Sequence, residues 1–218
     1  MTCDRALFRV RSEMTGQRAT AVISIALATW VAAAAVASTG EVPEWEADAL
    51  RFVNDWPDWL EPPMWAFQQV GVLGAPLVAG VLIARIARRW QYAVPFVLLI
   101  PIKLGIEWLL LKRTIERGRP YQTVGPEIRV RGPAFDGLSF PSGHSTTAVA
   151  FALLLVALLP RRWHPVVLAW AFVVGVARLY YGEHNVLDVV AGFALGAIYG
   201  TVLWFTILNR YADGGSSS

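Results

Sequence analysis

ATAVISIALATWVAAAAVAS, residues 19 to 38, is twenty residues long and carries no charge. At 1.5 Å per residue a helix of this length spans about 30 Å, the thickness of a bilayer's hydrocarbon core. Five further apolar runs follow, at residues 65–87, 92–111, 146–159, 166–181 and 186–208. The runs at 146–159 and 166–181 are short alone, but polar flanks can extend each helix. The pattern predicts an all-α fold, a bundle of six transmembrane helices. The first run has a second reading. Arg9, Arg11 and Arg18 precede it, and AAAAVASTG at its end offers small residues like those at a signal-peptidase site. A secretory apolar region usually has only about 7 to 15 residues, which favours a retained helix.

Composition agrees with a membrane protein. Of 218 residues, 56% are hydrophobic and 16% charged, against about a quarter charged in a soluble domain. The length suits one domain over residues 1–212, and residues 213–218, ending in GGSSS, read as a flexible tail or an expression scar. Cys3 is the single cysteine, so an intrachain disulfide is excluded. Basic residues gather at the edges of the apolar runs without interleaved aromatics, which argues against a nucleic-acid partner.

Charge sets the expected orientation, because Lys and Arg concentrate in cytoplasmic loops. The N-terminal segment carries Arg5, Arg9, Arg11 and Arg18; alternate loops carry Arg85, Arg88 and Arg89, then Arg161 and Arg162, and Arg210 follows the last run. These predict cytoplasmic N and C termini. The loop after the first run is acidic instead, with Glu41, Glu44, Glu46, Asp48, Asp55, Asp58 and Glu61 against Arg51 alone. Within it, Trp45, Leu50, Val53, Trp56 and Trp59 predict a short amphipathic helix lying at the membrane interface, between the first two spans.

One segment breaks the charge rule. Residues 112–141 fall on the outer side by count, yet carry Lys112, Arg113, Arg117, Arg119, Arg129 and Arg131. Topology does not explain these charges, so a functional reason is the better one.

Three short patterns lie at the outer ends of the last four runs. One is Lys112 with Arg119-Pro120 after six intervening residues, a second is PSGH at residues 141–144, and a third is Arg178, His184 and Asp188. In the second, Ser142 can cap the helix that follows and Gly143 lets backbone approach a ligand closely. The free N–H groups of that first turn make an anion site beneath His144. In the third, a helix beginning near His184 puts Asp188 on the same face at i+4. A carboxylate on one ring nitrogen leaves the other unprotonated and aimed. Each pattern alone also has an ordinary reading: a capped helix start, a structural His–Asp pair, an arginine reaching for headgroups. Together they take two of the three His and one of the two Lys in the chain, while His164 falls in a cytoplasmic loop. Fixed cations, a helix N-terminus and two imidazoles describe a site for phosphoryl transfer.

The stretches KRTIERGRP, PSGH and ARLYYGEHNVLD resemble the signature of the type-2 phosphatidic acid phosphatase superfamily, which includes six-helix membrane lipid phosphatases and soluble vanadium haloperoxidases. The resemblance covers residues 112–188 and, through helix number, most of the chain. It implies that His184 is a nucleophile forming a phosphohistidine, that Asp188 orients it, and that His144 is the general acid. It implies phosphate binding by Lys112, Arg119, Arg178, Ser142 and the Gly143 N–H, with no metal and no cofactor. Ala177 stands where the family usually has Ser, and Asn185, Val186 and Leu187 replace a Trp-Pro-Ser-like stretch; the His-to-Asp spacing survives.

Three side issues stay with the residues. Glu183 beside the expected nucleophile is read as facing water. Lys103 and Glu107, four apart inside the third run, are read as a mutual pair. Arg129 and Arg131 are candidates either for a second phosphate or for lipid headgroups.

The reading is an integral membrane phosphohydrolase, expected in a bacterial inner membrane with its site on the extracytoplasmic side. The expected substrate is a lipid phosphate or pyrophosphate, with a polyprenyl pyrophosphate the first choice. Phosphatidic acid or phosphatidylglycerol phosphate is an alternative substrate. A lipid phosphotransferase or a non-enzymatic lipid-phosphate transporter is an alternative function. The helices disfavour a soluble haloperoxidase.

Overall fold

The computed structural model describes residues 10, 14–72, 74–107, 111, 114–132 and 137–211. Among these residues the regular structure is all helix, with no strand. The first apolar run forms α1 (Gly16–Ala37), capped by the Thr15 hydroxyl accepting from the Arg18 N–H. The acidic loop forms α2 (Glu44–Asn54), followed by α3 (Glu61–Gln68) and α4 (Gly74–Ala87). Then come α5 (Val94–Ile106) and a single turn, α6 (Pro120–Thr123). Three long helices finish the bundle: α7 (Gly143–Leu158), α8 (His164–Tyr180) and α9 (Val186–Thr206). By length and composition, Gly16–Ala37, Arg161–Tyr180 and Val186–Tyr211 are each apolar enough to cross a membrane. The helices outside these three are shorter, and many large apolar side chains point outward, among them Ile25, Val78 and Phe172.

The second apolar run is not one helix, as its hydropathy predicted. It breaks between α3 and α4 at a 3-10 turn, Gln69–Gly71. Gly71, Gly74 and Pro76 fall within six positions of one another, and these are the residues least suited to a continuous helix interior. Gly71 is also needed where it stands. A Cβ there would lie 2.9 Å from both the Cβ and the carbonyl oxygen of His144.

α2 forms where the sequence placed it, but turned differently. Leu50, expected at the interface, is fully buried against Ile128, Leu179 and Val189. Glu46, Ala47 and Asn54 share that inward face, whereas Trp45 and Phe52 are 56% and 70% exposed. Spacings of three, four and seven residues put Trp45, Ala49 and Phe52 on the outer stripe instead.

α9 is the central helix and packs on α7 and α1; α8 packs on α7 and α3. Contact between α7 and α9 is close because glycines recur every fourth residue along α9. A Cβ on Gly192 would come 2.5 Å from the Ser142 carbonyl oxygen, one on Gly196 2.5 Å from that of Thr146, and one on Gly200 2.9 Å from the Leu153 Cβ. Small residues at this spacing let helix backbones touch. The apolar core built from Phe96, Leu99, Phe151, Leu154, Tyr199 and Leu203 fills the end where α7 and α9 finish. At the other end the two helix starts lie side by side, joined by the Ser142 N–H donating to the Asp188 carbonyl at 2.9 Å.

Candidate active site

The C-terminus of α8 and the N-termini of α7 and α9 meet at one end of the bundle. α8 closes at Gly182, whose φ of 67° is a left-handed conformation. The Gly182 N–H donates to the Leu179 carbonyl at 2.9 Å and the Glu183 N–H to the Arg178 carbonyl at 3.2 Å, the paired bonds of a Schellman motif. This turn folds Glu183 back over Arg178, and the two form a buried ion pair. The Gln68 side-chain oxygen, at the end of α3, accepts from the other side of the guanidinium. Glu183 therefore does not face water, as the sequence suggested; it neutralises the arginine packed beneath it.

α9 begins beside His184, as expected, with His184 itself just before the helix. Asn185 is the N-cap, and Asp188 closes a capping box by accepting the Asn185 N–H at 2.7 Å. The same Oδ2 stands 3.7 Å from His184 Nδ1. On the far side of the ring, Arg119 Nη1 lies 3.3 Å from His184 Nε2. A guanidinium only donates hydrogen bonds, so this contact selects the tautomer with Nε2 unprotonated and Nδ1–H facing Asp188. The Glu183 carbonyl accepts from the same Nη1 at 2.7 Å and the Gly137 carbonyl from Nε at 3.2 Å. Burial pulls the pKa of Arg119 below the ordinary arginine value, with the charge of Asp188 opposing.

Ser142 occupies the N-cap position of α7, yet its side chain makes no capping bond. It accepts from the Ser145 hydroxyl at 2.9 Å instead. The first-turn N–H groups beside Gly143 are thus not taken up by a cap, and they remain suited to an anion. His144 follows, half-buried. Arg178, His184, Lys103 and Arg119 all lie within electrostatic reach of it. Lys103 and Glu107 do pair, at 3.5 Å. Their place is informative: a Cβ on Gly143 would sit 3.1 Å from Lys103 Nζ, so the pair backs the PSGH turn.

Six of the ten candidates thus gather around one point: His184, Asp188, His144, Arg119, Arg178 and Gly143, with Ser142 immediately behind. Lys112 lies outside the described residues. Arg131 is elsewhere. Its guanidinium donates to the carbonyls of Asn54 and Tyr180 at 2.9 and 2.7 Å and to Asp58 at 3.0 Å, and it stacks 4.1 Å from the Tyr180 ring centroid. Those contacts fix the loop to α2 and α8. Arg129 is exposed, 3.8 Å from Asp58.

Two residues escaped the site as read from sequence. Arg117 is buried, donating to both oxygens of Glu46 at 3.0 and 2.6 Å and to Asp188 Oδ1 at 3.1 Å. Burial opposes its charge, but Glu46 and Asp188 outweigh burial and raise its pKa. Glu46 was counted only among outer-side acids. Its spacing of four to Leu50 and eight to Asn54 was the available sign that it faces inward.

The family model for the PAP2 superfamily matches residues 92–212. The chain is 26% identical over 174 residues to the lipid A 4'-phosphatase of Bacteroides thetaiotaomicron, covering 73% of this chain and 76% of that protein. It is 39% identical over 105 residues to the lipid A 1-phosphatase of Rhizobium johnstonii, covering 46% of this chain but only 39% of that one. Among solved structures, the transmembrane PAP2-type phosphatidylglycerolphosphate phosphatase of Bacillus subtilis aligns with a TM-score of 0.60 at 26% identity, over 85% of this chain and 93% of that one.

Proposed function

The chain belongs to the PAP2 superfamily, and on that premise we propose that it is a membrane phosphohydrolase that removes phosphate from a lipid through a phosphohistidine. The observation that carries this reading is His184, with its Nε2 against Arg119 and its Nδ1 toward Asp188. Nε2 attacks phosphorus as the phosphorus–oxygen bond to the lipid breaks, and His144 gives a proton to the departing lipid oxygen. Water, its proton taken by His144, then attacks the phosphohistidine; inorganic phosphate leaves and His184 is restored. Arg119, Lys112 and the Gly143 N–H hold the phosphate oxygens, joined by Arg178 as it exchanges Glu183 or Gln68 for phosphate, since planar guanidinium groups can grip two at a time. No metal or cofactor is called for in this scheme.

We place the chain in the bilayer as six spans, with α2 at the interface and the site on the extracytoplasmic side. The exposed Trp45 and Phe52 on α2 and the outward apolar side chains of the long helices support that placement. A lipid can then keep its tail in the membrane while its phosphate meets His184. Within lipid phosphates, a pyrophosphate needs a cationic grip on its second phosphate; Arg131 is already occupied, and Arg129 is exposed beside Asp58. This favours a monoester over the polyprenyl pyrophosphate expected from sequence. The named relatives act on lipid A and phosphatidylglycerolphosphate, which agrees with a lipid substrate class.

The test is phosphate release in detergent from a panel: phosphatidic acid, phosphatidylglycerol phosphate, lipid A, a polyprenyl phosphate and a polyprenyl pyrophosphate. Release by the parent and none by His184→Ala supports the reading. Binding without release from any lipid would favour a transporter, and transfer to an acceptor other than water would make it a phosphotransferase.

A further inference from the structure

Beneath the pocket, Glu46, Arg117 and Asp188 form a row of three buried charges, at 0%, 1% and 0% exposure. The two oxygens of Asp188 divide their work. Oδ2 accepts the Asn185 N–H and faces His184, while Oδ1 accepts from Arg117. Arg117 is in turn held by the fork of Glu46, and Glu46 Oε1 also accepts the Leu187 N–H at 2.7 Å, in the first turn of α9. α2 therefore reaches across to the helix start that carries Asp188.

Stability does not explain the row. Burying charges costs desolvation energy, and well-packed apolar residues in place of a buried ion pair are often as stable or more so. What charged side chains give here is direction. Bidentate bonds from Glu46 fix the guanidinium plane. The fixed plane then sets the carboxylate of Asp188, and the positive charge of Arg117 favours its ionised form, which faces the Nδ1–H of the tautomer that the Arg119 contact also selects.

We propose that Glu46 and Arg117 are positioning residues that act on His184 through Asp188. The proposal rests on the reading of His184 as the nucleophile. The row also has a sign: two carboxylates and one guanidinium leave one net negative charge behind the imidazole. Besides Asp188, the imidazole has Arg119 against Nε2 from the segment before α6, His144 of α7 within electrostatic reach, and Glu183, paired with Arg178, directly before it in the chain. Those groups are unchanged by substitutions in the row.

The experiment uses the full chain in detergent with phosphatidic acid, or whichever panel lipid it hydrolyses fastest, and compares Glu46→Gln, Arg117→Met, Arg117→Lys and His184→Ala. Rates are normalised to the fraction of folded protein. The expected result is a fall in kcat of about 10- to 100-fold in Glu46→Gln and Arg117→Met, as when other imidazoles lose an orienting partner. KM stays within about threefold, because neither residue touches substrate. Arg117→Lys recovers part of the loss. The acid limb of kcat/KM moves to lower pH in Glu46→Gln, which removes a negative charge, and to higher pH in Arg117→Met, which removes a positive one. A purely structural role predicts no such opposition. Parent-like kcat in folded Glu46→Gln, or shifts of one sign in both variants, overturns the proposal while an inactive His184→Ala leaves the nucleophile reading standing. An active His184→Ala overturns both. Should Arg117→Met not fold, the isosteric Glu46→Gln decides alone.

Discussion

Asp188 Oδ2 stands 3.7 Å from His184 Nδ1 although His184 lies outside the helix that carries Asp188. The capping box holds the two together, because Asp188 reaches back to the N–H of Asn185, the residue directly after His184. At 3.7 Å the contact is longer than a hydrogen bond, and such contacts often tighten only once substrate is bound.

Asp188→Asn keeps the shape and loses the charge. It favours the wrong tautomer of His184, and kcat is expected to fall by a factor on the order of 10² to 10⁴ with KM little changed. Thermal unfolding in detergent should show destabilisation of about 3 kcal/mol, since Arg117 loses one of its two buried partners. A parent-like kcat would show that the carboxylate does not govern the ring.

The glycine row of α9 sets the distance between PSGH and His184. Gly196→Ala places a methyl group 2.5 Å from the Thr146 carbonyl oxygen. Overpacking of this kind costs about 1 to 3 kcal/mol, and α7 must move away to relieve it. A lower unfolding temperature accompanied by lost activity is expected. An unchanged midpoint would mean that the two helices do not pack as closely as this.

Arg131 and Arg129 separate structure from binding. Arg131→Met removes the side-chain donor to the Asn54 carbonyl and one of the two side-chain donors to that of Tyr180, at a cost of about 1 to 3 kcal/mol. Exposed Arg129→Ala should change stability by less than about 0.5 kcal/mol. In neither variant should the preference between lipid monophosphate and pyrophosphate change. A selective loss of pyrophosphate hydrolysis would restore the second-phosphate role.

Arg119 answers to three partners: the carbonyls of Gly137 and Glu183 and the ring of His184. A lysine cannot span them and still grip a phosphate in two places. Arg119→Lys is expected to lower kcat/KM by about tenfold or more, measured on the preferred lipid. Because guanidinium groups meet the charge of the phosphoryl group, the parent should keep full activity in excess chelator.

The fold was legible where periodicity alone decides it. α1 and α7 to α9 lie close to the apolar runs that predicted them, and PSGH opens a helix as expected. The break between α3 and α4 was not legible in hydropathy, which averages over Gly71, although its cause is local: Gly71, Gly74 and Pro76 lie close together there. For the site, the residues with a short spacing in sequence were readable, because a turn and a capping box join them. Glu46 and Arg117 were not, since 71 positions separate them and only tertiary packing brings them together. Glu183 was misread for a related reason: its neighbour is set by the Schellman turn that ends α8, which no charge pattern announces.

The proposed reaction passes through a covalent bond between phosphorus and His184. Parent protein mixed with lipid phosphate labelled in its phosphoryl group, stopped within milliseconds in alkali and digested, should carry the label on the peptide containing His184. That label should be lost in acid and absent from His184→Ala. Label on another residue, or hydrolysis by His184→Ala at the parent rate, would rule out His184 as the nucleophile.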